Sequence, residues 1–162
     1  MRKPAAVPTV KSSNYIHVLA RAAIVVDQHL LLARAIGAAN TFLPGGHVEI
    51  GEPMTEALIR ELSEELGLSS HVGRYLGAVE HQWSEGEVQQ HEINHVFATS
   101  LHDVRCCESI ASREPHLEFF WAPVAELSQH NLQPFPLAEF LPLHASGSHA
   151  PFWASTIAPS TR

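Results

Sequence analysis

Residues 46–68 read GHVEIGEPMTEALIRELSEELGL, and the order of residue types in this stretch decides the fold class. Gly46, Glu52, Arg60, Glu61, Glu64, Glu65 and Gly67 follow one another at set intervals, with apolar Leu62 and Leu68 between and after them. Pro53 suits the first turn of a helix, where its missing N–H costs nothing. Glu52 and Glu56 favour the positive N-terminal end, and Gly67 supplies the C-terminal stop. Ala57, Leu58, Leu62 and Leu66 form an apolar stripe at helical spacing, so the spacing predicts a helix over residues 53–66. At about 100° per residue, Glu61, Glu64 and Glu65 share one flank of it, beside the stripe. Oxygen ligands at this density suit Mg2+ or Mn2+. Without a cation, mutual repulsion would raise at least one carboxylate pKa. Glycines ahead of the helix let backbone approach the same place, and the Gly46 carbonyl is a further candidate ligand.

Taken alone, Glu61-x-x-Glu64-Glu65 reads as a solvated acidic helix face. The whole stretch, however, resembles the signature of the Nudix hydrolases: Gly, five residues, Glu, seven residues, then Arg-Glu-apolar-x-Glu-Glu-x-Gly-apolar. The resemblance implies an α/β fold, an α/β/α sandwich with a mixed β-sheet between helices. It implies a divalent-metal-dependent hydrolase that cleaves the pyrophosphate bond of a nucleoside diphosphate linked to another group. Glu64 and Glu65 are then the first choice as direct Mg2+ or Mn2+ ligands, with Gly46. Glu61 shares a metal or acts as general base. Arg60 orients a carboxylate of the site, and Glu52 supports Arg60 and a second metal through water; Glu49 carries lower weight. Some members recruit a downstream glutamate as base. Here EPHLEFFWAP, residues 114–123, is similar to the family's acid-then-Trp stretch, which favours Glu114 over Glu118, with Glu85 and Glu87 further out. The alternative reading is a non-catalytic Nudix module that binds or senses a nucleotide, although such modules usually lose glutamates that this stretch retains. The general base, the number of metal ions and the oligomeric state are left open, a homodimer being frequent in the family.

Around this stretch the chain divides into a loose leader, residues 1–13, a single domain, 14–144, and a partly ordered tail, 145–162, in which Phe152-Trp153 can pack back. Residues 15–26 and 30–33 suggest a hairpin about Asp27-Gln28-His29. Residues 41–43 suggest a short strand stopped by Pro44-Gly45-Gly46. Residues 72–83 and 93–101 suggest strands joined by the polar segment 84–90. A loop over 102–117, a strand at 117–121, a helical turn at 124–127 and a helix at 137–143 complete the reading.

With 162 residues, 45% hydrophobic and 17% charged, the chain is long enough for one buried core. Its formal charge of -7, with only Lys3 and Lys11 as lysines, lacks the basic footprint of a duplex nucleic-acid binder. The expected partner is instead a small nucleotide-derived substrate. The apolar run 16–26 is interrupted by His17 and Arg21 and is too short for a bilayer. No signal-peptide pattern precedes it, so the cytoplasm is the expected location. Cys106 and Cys107, the only cysteines, are adjacent and read as free thiols of a reducing compartment.

His91-Glu92-Ile93-Asn94-His95 satisfies the zinc-peptidase pattern, which needs a helix to bring its histidines within about 6 Å. The following Val96-Phe97-Ala98-Thr99 favours a strand, on which they lie about 13 Å apart. On that strand Glu92 and Asn94 share one face and His91 and His95 the other, and one of the two faces is a candidate wall of the substrate cleft. Arg21 and Arg34 on the early strands, His47 before the helix and Trp83 at a strand end are candidate contacts to substrate. Each also has an ordinary reading, as a sheet-edge arginine, a loop histidine or a packing tryptophan.

Overall fold

Leu30, Leu31, Leu32 and Ala33 are all fully buried, as a strand covered on both faces requires. In the computed structural model, which describes residues 11–12 and 15–158, they alternate between two hydrophobic clusters. Leu30 and Leu32 pack with Val79, Val96, Leu127, Leu137 and Leu141, whereas Leu31 and Ala33 pack with Ala20, Ala22, Leu58, Leu62 and Leu66. The first cluster draws on helix α2 (Leu137–Ala145) and the 3-10 turn Val124–His130; the second draws on helix α1 (Met54–Leu66). Strands lie between, giving the α/β/α sandwich with a mixed sheet.

The strands are β1 (Lys11–Ser12), β2 (His17–Ala23), β3 (Val25–Val26), β4 (His29–Ala35), β5 (Gly45–His47), β6 (Ser70–Glu85), β7 (Val88–Leu101), β8 (Leu117–Pro123) and β9 (Phe152–Ser155). The larger sheet runs β5-β2-β7-β6-β9, with β1 joined to β7, and the smaller runs β3-β4-β8. β2 pairs parallel with β7 and antiparallel with β5, which sets the glycines of β5 beside α1.

Several expected boundaries move. The run 15–26 is not one arm of a hairpin but splits at Ile24: β2 joins the larger sheet and β3 turns back on β4. Asp27 and Gln28 both take positive φ, 46° and 62°, as a tight turn requires. A period of two suits either sheet, so long-range pairing decides the split. Residues 41–43 form only single-residue bridges, Ala33 to Phe42 and Thr41 to Leu132. Gly45 and Gly46, expected as a strand stop, are themselves a strand. The segment 84–90, expected as a polar connection, is mostly strand, with β6 and β7 extended to a turn at Gly86 and Glu87.

Of the expected leader, Lys11–Ser12 pair with β7, and residues 1–10 and 13 lie outside the described residues. The expected tail supplies β9, parallel to β6, and Phe152 stacks on Phe140 with ring centroids 4.8 Å apart. Residues 159–162 lie outside the described residues. Among the described residues no helix is long and apolar enough to cross a membrane.

Candidate active site

α1 begins after Pro53, which stands at the N-cap, and ends at Gly67 in the left-handed conformation at φ 67°. Its buried face presses on β5, where the side chains of Gly45 and Gly46 would otherwise stand. Gly45 has φ 116°, and a Cβ there would strike the Ala20 carbonyl and Leu58. A Cβ on Gly46 would overlap the Glu61 carboxylate. The two glycines therefore bring helix carboxylates against sheet backbone: the Gly45 N–H donates to Glu65 Oε2 at 3.0 Å. Gly46→Ala pushes the Glu61 carboxylate from its place without a positive-φ penalty. Given the site's activity proposed below, turnover falls about 10²-fold while the far-ultraviolet circular dichroism stays native, in line with the cost of a misplacement near 1 Å.

Arg60 ties the acidic groups together. Its Nε and Nη2 donate to the two oxygens of Glu52 at 2.9 and 3.0 Å, a bidentate pair. Nη1 donates to Glu61 at 2.9 Å and lies 3.5 Å from Glu64, and Nη2 also reaches the His47 carbonyl at 3.1 Å. Hydrogen bonds donated to Glu52 and then to Glu61 hold the guanidinium firmly protonated, and the Arg60 bond draws the Glu52 pKa below the ordinary carboxylate value. Arg60 thus orients Glu61, while Glu52, eight residues back, orients Arg60.

The three helix carboxylates differ sharply in burial. Glu65 is 6% exposed, within the buried face of the helix rather than beside it; the Glu61 and Glu64 side chains are 19% and 55% exposed. Burial pushes the Glu65 pKa up from 4.5 to about 7, against the Gly45 N–H bond and the Arg21 charge; Glu61 and Glu114 push it further. Glu114 therefore acts electrostatically on the carboxylate it was expected to join, and its own carboxylate lies 3.6 Å from His116 Nδ1. An all-oxygen donor set with one carboxylate charged only at a cost fits a hard divalent cation.

Beside these carboxylates opens a cleft of about 590 Å³, lined among others by Arg21, Phe42, Trp83, Glu92 and Asn94. The Trp83 indole N–H donates to Glu92 at 3.3 Å, the Asn94 amide donates to Glu92 at 2.8 Å, and Arg21 Nε donates to the Asn94 oxygen at 3.2 Å. Arg21 Nη1 then bonds the carbonyls of Leu43 and Gly45. Burial lowers the Arg21 pKa, and the charges of Glu92, Glu65 and Glu61 oppose that shift. Arg21 accordingly joins the cleft wall to the carboxylate array. It is neither a sheet-edge residue nor an arm free of protein partners. The face of β7 that looks into the cleft is that of Glu92 and Asn94.

The NUDIX domain family model matches residues 16–144. The chain belongs to the Nudix family. The CTP pyrophosphohydrolase of Escherichia coli K12 is 32% identical over 105 residues, 63% of this chain and 71% of that protein. The low-salt glycan biosynthesis protein Agl8 of Haloferax volcanii is 37% identical over 60 residues, 37% of this chain; the match spans only 38% of the Agl8 length. Among solved structures, the E. coli ORF135 protein is 27% identical with a TM-score of 0.59, covering 90% of this chain and all of that one. A MutT Nudix hydrolase from Burkholderia pseudomallei is 28% identical with a TM-score of 0.56, over 68% of this chain and 85% of its own. A UDP-X diphosphatase shares the fold, with a TM-score of 0.54 at 24% identity over 91% of this chain and 70% of that chain.

Other expected contacts lie elsewhere relative to the Nudix box. Arg34 faces Glu118 across the β4–β8 register and bonds it at 2.8 Å, so both are engaged in a half-exposed cross-strand pair outside the cleft lining. His47 meets His17, ring nitrogens 2.9 Å apart, and burial followed by His17 and Arg21 lowers its pKa. Glu85 accepts from Gln90 at the hairpin end. His91 bonds Glu80 and His95 approaches Tyr75, so the zinc-peptidase pattern is spread along a strand. Sequence reasoning missed Phe42, His81, Asn131 and Gln133 of the cleft. His81 is held by Thr156, 2.8 Å away, from the segment expected to be a tail. No local pattern announces that contact.

Proposed function

We propose that this Nudix domain is a pyrophosphohydrolase dependent on Mg2+ or Mn2+. Its substrate is a nucleoside diphosphate linked to another group, a class that includes nucleoside triphosphates. The observation that carries the proposal is a cleft of about 590 Å³ whose wall residue Arg21 bonds the Gly45 carbonyl, while the Gly45 N–H donates to Glu65 of a graded carboxylate array. The residues that would hold the ion are Glu61, Glu64 and Glu65, with the Gly46 carbonyl. The chemistry such an ion supplies when bound is Lewis acidity at the phosphoanhydride and neutralisation of its charge. Glu61, clamped by Arg60, and Glu114, whose charge acts on Glu65, are the two candidates to take the proton of the attacking water. Water oxygen bonds phosphorus, the bridging P–O bond breaks, and the proton passes to one of these carboxylates. Names of relatives that specify CTP and UDP-X support a nucleotide substrate and put cytidine and uridine compounds first for assay.

A hydrolysis screen with Mg2+ over nucleoside triphosphates, NDP-sugars, dinucleoside polyphosphates, ADP-ribose and NADH tests the reading. Turnover of at least one, abolished by chelation and restored by Mg2+ or Mn2+, is the expected result. Binding of a nucleotide with no turnover of any compound would establish the sensing module instead. Trp83 stacks on the base in this scheme. Trp83→Ala then raises KM about 10-fold at nearly constant kcat, the loss of one stacking contact. A change confined to kcat would place Trp83 elsewhere.

A further inference from the structure

Cys106 and Cys107 lie in the loop between β7 and β8, which folds onto the β3–β4 turn. There the two Sγ atoms are 2.9 Å apart and Cys106 Sγ is 3.4 Å from His29 Nδ1. One ligand atom from each of the three residues lies within 4.8 Å of the others. The grouping is built from both sides. His29 opens β4 directly after the left-handed pair Asp27 and Gln28, and the Asp27 carbonyl lies 2.9 Å from its Nδ1. The loop is pinned by the Trp121 indole N–H, which donates to the Glu108 carbonyl at 3.0 Å, and Cys107 holds φ 64°. His29 and Cys106 are half-buried and Cys107 is exposed, so the group is both shaped and reachable from solvent. It shares no residue with the carboxylate array, and none of its hydrogen bonds reaches the Nudix box.

The chemistry of these donors differs from that of the box. Two thiols and an imidazole favour soft or borderline cations and discriminate against Mg2+. A tetrahedral zinc ion with S and N ligands sets S···S near about 3.8 Å and S···N near about 3.5 Å. The second spacing is present between Cys106 and His29 Nδ1, which must give up its bond to the Asp27 carbonyl to bind an ion, and the first requires the two thiols to part by about 0.9 Å, a side-chain adjustment. The Cys107 hydrogen bond, then burial, then the Cys107 and Asp27 charges push the Cys106 thiol up to about 11. A metal would bind with release of the thiol protons.

We propose that His29, Cys106 and Cys107 form a second cation site, selective for a thiophilic ion of the Zn2+ or Cu+ class and independent of the Nudix box. Titration of the reduced 162-residue chain with Co2+, a spectroscopic stand-in for Zn2+, tests it. The expected result is one thiolate-to-cobalt charge-transfer band per chain, abolished by equimolar Zn2+ and unaffected by a 100-fold excess of Mg2+. Cys106→Ser and Cys107→Ser each remove the band, and His29→Asn weakens Co2+ binding at least 10-fold. Because a serine variant can misfold, thiol alkylation supplies a second reading. Zn2+ protects both cysteines of the wild-type chain from iodoacetamide at least 10-fold, and His29→Asn loses that protection. Cu+ in place of Zn2+ is expected to give the same protection, since both ions take thiolate and imidazole ligands. Absence of the band, a band unchanged in the serine variants, or alkylation indifferent to both metals would overturn the proposal. Hydrolysis in Mg2+ stays within twofold in all three variants, so failure here and failure of the proposed activity are read separately.

Discussion

Glu64→Gln abolishes most turnover while leaving stability unchanged. The proposed activity falls about 10³-fold, comparable to removal of one electrostatic element aimed at the transition state. The fold stays intact because the Glu64 side chain is 55% exposed and its one ionic contact among the described residues, to Arg60, is 3.5 Å long. Exposed pairs of this kind contribute between nothing and about 1 kcal/mol. Steady-state kinetics beside thermal unfolding check both halves. Retained kcat would remove Glu64 from the ion's ligands, and a fall in stability matching the fall in activity would mean a structural role. The same substitution lowers affinity for Mn2+ measured by electron paramagnetic resonance, a readout that does not depend on the substrate chosen.

Glu65 behaves in the opposite way. It is buried on α1, and its pKa is raised from 4.5 to about 7 by burial first and by Glu61 and Glu114 afterwards. A carboxyl whose folded pKa is raised stabilises the fold fully below pH 4.5, and that contribution disappears as pH rises through about 7. The gap is worth about 3 kcal/mol at 1.36 kcal/mol per pKa unit. In chelator, wild-type protein therefore loses that much stability between pH 4 and pH 8 relative to Glu65→Gln, which carries no titratable group there. Urea unfolding at the two pH values measures the difference. Addition of Mg2+ at pH 8 recovers stability in the wild type alone, since a cation compensates the buried charge. Equal pH profiles for the two proteins would show that Glu65 is not held in the way its burial implies. Glu65→Gln also lowers turnover, so this variant gains metal-free stability at alkaline pH while losing activity, a trade typical of functional sites.

The helix at residues 53–66 was legible because its signals are local: a proline, an apolar stripe and a terminal glycine lie within one stretch. The observed α1 starts one residue later, with Pro53 as its cap. Glu61, Glu64, Glu65 and Arg60 were legible as a group for the same reason. Their ranking was not. A helical projection places Glu65 beside the stripe, whereas contact with β5 puts it inside. Arg21 looked like one of several sheet arginines. Its bond to Asn94 joins residues 73 apart in the chain and depends on β2 and β7 pairing in parallel, a register that no short pattern encodes. Arg34 had equal claim on the sequence and is taken by Glu118 across the β4–β8 ladder, 84 residues away.

By itself, the sequence determined the layered α/β architecture, the helix that carries the acidic residues and the spacing that recruits Arg60. The helix follows from neighbours within a few turns, where periodicity and capping act, while the architecture and the part of Arg60 are what the resemblance to the Nudix signature implied. Only the tertiary structure decided that Glu65 is buried, that Trp83, Glu92, Asn94 and Arg21 form one wall, and that residues 152–155 complete the sheet. It alone brought His29 to Cys106 across 77 residues. The physical reason is that burial and strand pairing are properties of two surfaces meeting. A stretch of chain carries the pattern for its own surface and not the identity of the surface that will cover it.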